Sequence, residues 1–89
     1  MKFPFKEERK DNQIIRTFNE NVNPLDLVWH KDDKDRVVTI LENSEWKFQF
    51  EDELPIDLYE GRTININKTD WHRVIKGSGE LKIKIIEFN

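Results

Sequence analysis

EGRTININKTDWHRV, residues 60–74, reads as a turn, a strand, a second turn and a histidine on the next strand. Gly61 closes the first turn, where glycine supplies turn backbone without steric cost. Ile64 and Ile66 then fall on one face, with Thr63, Asn65 and Asn67 opposite. That period of two is the mark of a half-buried strand. Asn67 to Asp70 is polar turn material, and His72 follows. On its strand His72 shares a face with Val74, and Trp71 takes the other.

The same alternation extends outward. EWKFQFE (45–51) sets Trp46, Phe48 and Phe50 against Lys47, Gln49 and Glu51. ELKIKIIEF (80–88) sets Leu81, Ile83 and Ile85 against Lys82 and Lys84. RVVTILE (36–42) is rich in β-branched residues and is expected to be covered on both faces. ENSE (42–45) suits a tight hairpin, EDELP (51–55) a longer one, and YEG (59–61) a turn. KGSGE (76–80) joins the last two strands. Upstream, QIIRTF (13–18) is expected to join the sheet at its edge, and KEERKDN (6–12) to be a polar loop or frayed helix. Asn23 and Pro24 sit at cap and first position of one helical turn. The apolar pair in FPF (3–5) is expected to cover a sheet edge, on the chain's own sheet or a partner's. Short strands at regular spacing make the chain all-β, a sandwich or barrel.

Eighty-nine residues without a linker make one domain, and 36% hydrophobic residues allow only a thin core. Nine of the ten aromatic residues are Phe or Trp, so bulky side chains must fill it. A chain this small gains from pairing with a second copy, which predicts a homodimer. A net charge of -3, with signs interspersed, offers no footprint for nucleic acid. The absence of cysteine excludes disulfides and thiolate zinc sites. MKFPFKEERK lacks the apolar run of a secretory signal and nothing approaches a membrane span, so a cytoplasmic location is expected. There is no alanine, while Ile and Lys number ten each and Asn eight, a bias that fits an AT-rich gene.

The two histidines, His30 and His72, each directly follow a tryptophan, Trp29 and Trp71. In VWHKDDKDR (28–36), strand alternation points His30 and Asp32 one way and Trp29 the other. If these strands converge inside a barrel, His30, Asp32 and His72 meet. Two imidazoles and a carboxylate form a facial triad with open positions, suited to iron(II), manganese or zinc. The plainer alternative is a solvated loop, with His30 donating to a carboxylate and His72 bonded to backbone. The paired tryptophans then pack on the outer layer or wall the cavity mouth.

Residues 60–74 also resemble the second motif of the cupins, G-x5-P-x-G-x2-H. Gly61 takes the first glycine and His72 the histidine, with Asn67 and Thr69 at the proline and second glycine. The first cupin motif, H-x-H-x3-4-E-x6-G, is similar to the stretch from His30. Asp32 stands at the second histidine, Arg36 at the glutamate and Asn43 at the closing glycine. The resemblance spans about residues 28 to 87. It implies a minimal cupin-like jelly-roll β-barrel of short antiparallel strands over 25–89, preceded by an N-terminal segment, 1–24. It implies a metal held by His30, Asp32 and His72, with Asp35 as an alternative carboxylate. Arg36 occupies a ligand slot but cannot coordinate, and is expected to pair with Asp32, Asp33 or Asp35.

Arg36, Gln49 and Trp71 are the candidate ligand-binding residues. The Trp46–Phe48–Phe50 stripe is expected to be core. Asp52 and Glu53 lie adjacent in a turn, and KGSG lacks the lysine and helix of a phosphate loop. No cysteine nucleophile or Ser-His-Asp context exists, so any catalysis is metal-assisted or proton transfer by His30 or His72. Two functions are expected: a barrel that binds a small molecule of unknown identity, or a metal-dependent dioxygenase, isomerase or epimerase.

Overall fold

The structure, a computed structural model, describes residues 4–88, so Phe3 and its part in FPF lie outside the described residues. Among the described residues eight strands form two antiparallel sheets. They are β1 (Lys6–Lys10), β2 (Gln13–Phe18), β3 (Asp35–Glu42), β4 (Lys47–Phe50), β5 (Ile56–Asp57), β6 (Thr63–Ile66), β7 (His72–Ile75) and β8 (Leu81–Phe88). One sheet runs β1-β2-β8-β3-β6 and the other β5-β4-β7. A 3-10 turn at Pro24–Asp26 is capped by Asn23, whose side chain accepts from the Leu25 amide at 3.0 Å.

Strand positions follow the alternation, but strand pairing does not follow the turns. β3 and β4 lie in different sheets, so residues 42–45 cross between layers instead of closing a hairpin. The same holds for 59–61, between β5 and β6, and for 76–80, between β7 and β8. Only 51–55 and the short turn at Asp11 and Asn12 join paired neighbours. Chain neighbours that alternate between sheets produce the jelly roll.

The N-terminal third also departs from expectation. Residues 6–10 form the outermost strand of the larger sheet, and all five are exposed. Lysines, Arg9 and two glutamates on a solvated edge blunt its unpaired backbone. This places β2 inside the sheet, between β1 and β8. Ile14 is 0% exposed and Phe18 5%, so they belong to the same core as the later strands. β3 is covered on one face only: Val38 and Ile40 are buried, whereas Val37, Thr39 and Leu41 are half-buried.

Both sheets contribute to one core, with Ile14, Ile40, Leu81 and Ile85 from the larger, Phe48 from the smaller and Trp46 from the crossing just before β4. Trp46 donates its indole N–H to the Gly79 carbonyl at 2.7 Å, which ties the β3–β4 crossing to the β7–β8 crossing. Asn43 pins the same crossing: it accepts from the Trp46 amide at 2.9 Å and donates to the Leu58 carbonyl. Among the described residues no helix is long and apolar enough to cross a membrane.

Candidate metal centre

Forty-two residues separate the histidines in sequence, and one pair of hydrogen bonds joins them. The His30 amide donates to the His72 carbonyl and the His72 amide to the His30 carbonyl, both at 3.0 Å. Residues that exchange both bonds stand directly opposite in an antiparallel pair, with side chains on one face. The two rings therefore meet, with centroids 4.3 Å apart at 60°. The register also decides the tryptophans. Across the bridge Trp29 faces Arg73 and Lys31 faces Trp71, and each cation covers the opposite ring, at 4.6 and 5.1 Å. Both tryptophans thus lie on the outer face, about two-fifths exposed.

Asp32, two residues after His30, turns inward to the same place. Its carboxylate lies 3.3 Å from the His72 Nε2 and 3.8 Å from the His30 Nε2. One ligand atom from each of the three residues lies within 4.8 Å of the others. His72 is buried, and its ring stacks on Phe48 at 5.6 Å and 24°. The His30 side chain remains 44% exposed, at the mouth of the barrel.

The outer nitrogen of each ring is fixed by backbone. His30 Nδ1 is 2.9 Å from the Val28 carbonyl, and His72 Nδ1 is 2.8 Å from the Asp70 carbonyl. A carbonyl only accepts, so each Nδ1 carries the hydrogen, and in the neutral ring each Nε2 carries a lone pair. Two lone pairs then converge on a carboxylate, an arrangement with no hydrogen to share. Asp32 Oδ2 is buried and has no hydrogen-bond partner among the described residues. Its contact with His72 becomes a hydrogen bond only when His72 is an imidazolium. A cation satisfies all three atoms. Donors 2.0–2.2 Å from one ion stand about 3–4 Å apart, and both separations from Asp32 fall in that range. Metal-bound histidines commonly donate their second N–H to a carbonyl, as both do here.

Charges around the trio are arranged in a row. Asp32 Oδ1 pairs with Arg36 at 3.1 Å, Arg36 with Glu87 at 2.7 Å, and Glu87 with Arg9 at 2.9 Å. Burial pushes the Asp32 carboxyl up, but His72 and His30 in their imidazolium forms, together with Arg36, outweigh it and hold it below the usual aspartate range. Burial lowers the His30 pKa, and His72 and Arg16 add to that effect. A neutral, metal-competent His30 is therefore favoured.

The other candidates occupy different places. Arg36 lines the barrel cavity but is committed to Asp32 and Glu87. Asp35 accepts from the Lys68 amide at 2.8 Å and lies outside the trio. Gln49 lies outside the cavity lining and accepts from the Arg73 guanidinium at 2.9 and 3.0 Å. Trp71 is on the outer face and lines a shallow groove with Phe50 and Asp70. The cavity, about 330 Å³, instead reaches from His30, Asp32 and His72 into walls such as Phe18, Ile40, Phe48 and Ile83. Arg16, which also lines it, escaped notice in the sequence because QIIRTF carries no chemical motif.

No protein-family model matches the chain, and no curated protein matches its sequence. Solved structures match its fold. An RmlC-like cupin with a double-stranded β-helix from Methanocaldococcus jannaschii is 10% identical with a TM-score of 0.72, over 93% of this chain and 76% of that one. A cupin-2 domain protein from Shewanella frigidimarina is 23% identical, with a TM-score of 0.63, over 96% and 79%. The iron(II) form of HppE is 20% identical, with a TM-score of 0.64, over 85% of this chain but 41% of HppE. The chain has the cupin double-stranded β-helix fold, and it spans less than half the length of HppE.

Proposed function

We propose that the protein is a small metal-binding cupin that holds one divalent ion between His30, Asp32 and His72 and binds a small molecule in the adjoining cavity. The observation that supports this is the Asp32 carboxylate, with its Oδ2 buried and unpartnered, set against two Nε2 lone pairs on rings oriented by backbone carbonyls. Two histidines and one carboxylate are the donor set of non-haem iron(II) sites, and they also accept manganese or zinc. The iron(II) form of HppE, a fold neighbour, favours iron.

When bound, the ion supplies Lewis acidity and coordination positions open to the cavity. The chain's own residues do the rest. The Val28 and Asp70 carbonyls orient the imidazoles, and Arg36 holds Asp32 from behind. Phe48 shields His72 from water on its stacked face. Arg36 leaves the ligand set at three protein atoms, because a guanidinium cannot coordinate. Metal-dependent turnover of the bound small molecule, as in a dioxygenase, isomerase or epimerase, belongs to this proposal. A cytoplasmic homodimer is its proposed setting, tested by sedimentation.

The ion pair between Arg36 and Asp32 favours a second function, a metal-free barrel in which Arg36 alone neutralises Asp32. Metal content of protein purified without chelator, followed by calorimetric titration with iron(II), manganese and zinc, separates the two. One equivalent of metal, lost in both His72→Ala and Asp32→Ala, is expected. Uptake that survives both substitutions contradicts the site, and no uptake at all leaves the metal-free barrel.

A further inference from the structure

The cavity has a chemical gradient. Its polar lining groups, among them Arg16, His30, Asp32, Arg36 and His72, are outnumbered by hydrocarbon side chains from both sheets. A polyhydroxylated guest buried against those walls leaves hydroxyls without partners, at a cost of about 1–3 kcal/mol for each one. Sugars and polyols are therefore poor occupants. An apolar body of alkyl or aryl character is a good one, and 330 Å³ suits a small molecule.

Charge selects its head group. Arg36 is already paired on both sides, with Asp32 and Glu87. Arg16 is different. It lies on β2, on the same face as the core residues Ile14 and Phe18, and its side chain is 15% exposed. Only its Nε is engaged, donating to Glu7 at 2.7 Å, while its guanidinium carbon lies 4.1 Å from the Phe5 ring centre. Its two terminal nitrogens have no hydrogen-bond partner among the described residues, and it lines the same cavity as His30. The acidic lining residue Asp26 is exposed on the 3-10 turn. Among the lining residues Arg16 and Arg36 balance Asp26 and Asp32, with Glu7 paired to Arg16 from outside the lining, so a divalent ion beside Asp32 would make this end of the cavity positive.

We infer that the cavity takes an amphipathic monocarboxylate, with its carboxylate toward Arg16 and the His30–Asp32–His72 end and its apolar body against the barrel wall. This rests on the cavity being the working site of the proposed function. Arg16 is the specificity-determining residue: its free N–H groups form the charge-assisted fork that a carboxylate fits.

The test is calorimetric titration of the full chain with 4-phenylbutyrate, 4-phenylbutanol and glucose, in zinc-supplemented and in chelator-treated protein. Zinc uptake is measured on the same samples. The acid is expected to bind at one per chain, at least tenfold tighter than the alcohol, with no glucose binding. Arg16→Gln is expected to weaken the acid about tenfold or more and leave the alcohol unchanged, and Arg16→Lys to restore part of the loss. Equal binding of acid and alcohol, equal loss of both in Arg16→Gln, or preference for glucose overturns the inference. Zinc uptake without acid selectivity overturns it while the metal centre stands. Acid selectivity dependent on Arg16, in protein that takes up no zinc, supports it while the metal centre falls.

Discussion

Asp32 is asked to serve three partners. One oxygen faces Arg36 at 3.1 Å and His30 at 3.8 Å, and the other faces His72 at 3.3 Å. A carboxylate held from behind by a charged partner presents its other oxygen in one orientation. Loss of such support commonly weakens metal binding 10–100-fold. Arg36→Met is therefore expected to lower zinc affinity by roughly that factor, read by competition with a chromophoric chelator. Unchanged affinity removes Arg36 from the site's support. Glu87, behind Arg36, makes a pH-dependent contribution. The hydrogen bond from Arg9 lowers its pKa most, burial opposes this, and Arg36 adds to the lowering. Because the folded carboxyl is the stronger acid, its stabilisation is complete above the ordinary glutamate range and is lost as pH falls through the folded value. Glu87→Gln is expected to cost about 1 kcal/mol or less at pH 7, since Arg9 is half exposed and solvent screens the pair. In urea titrations the gap to wild type should close below about pH 4; a gap constant from pH 7 to pH 3 contradicts this account.

Two glycines illustrate what the sequence reveals about elements and what it conceals. Gly61 was legible as a turn residue, and it has φ +88° with open space around it. Gly61→Ala incurs only left-handed backbone strain, about 1–2 kcal/mol. Gly77 has no such signature. A Cβ there falls 2.1 Å from the Ser44 carbonyl oxygen and 2.4 Å from the Trp46 nitrogen, so two crossings that pack backbone to backbone must separate. Gly77→Ala is expected to cost more than Gly61→Ala in chemical denaturation; the reverse order contradicts the packing of the crossings. Side-chain alternation reports which face of a strand is buried, so β4, β6 and β8 were readable from the pattern. It says nothing about which strand lies alongside. Turns between sheets and turns within a sheet use the same residues, and for that reason 42–45, 59–61 and 76–80 read as ordinary connections. β1 was hidden for a different reason: with both faces solvated, KEERK has no alternation to see.

At the scale of the molecule, the spacing from Gly61 to His72 carried the fold, and the companion stretch from His30 carried the site. The trio was foreseeable because strand alternation places His30 and Asp32 on one face. The same alternation already turned Gln49 away from Phe48 and Trp71 away from His72, and the structure places both outside the cavity lining. A ligand that binds only the folded chain stabilises it by mass action, by about 2.7 kcal/mol at a hundredfold excess over Kd. For a domain this small, saturating zinc should raise the melting temperature by roughly 10 °C or more, and chelator should reverse it. The central claim is that both imidazoles are Nδ1–H tautomers offering Nε2 to a shared ion. Long-range proton–nitrogen NMR of the two histidine side chains, before and after one equivalent of zinc, tests it most directly. The account predicts protonated Nδ1 on both rings beforehand and a shift of both Nε2 resonances that saturates at one zinc per chain. Nε2–H on either ring at neutral pH, or rings that ignore the metal, would contradict it.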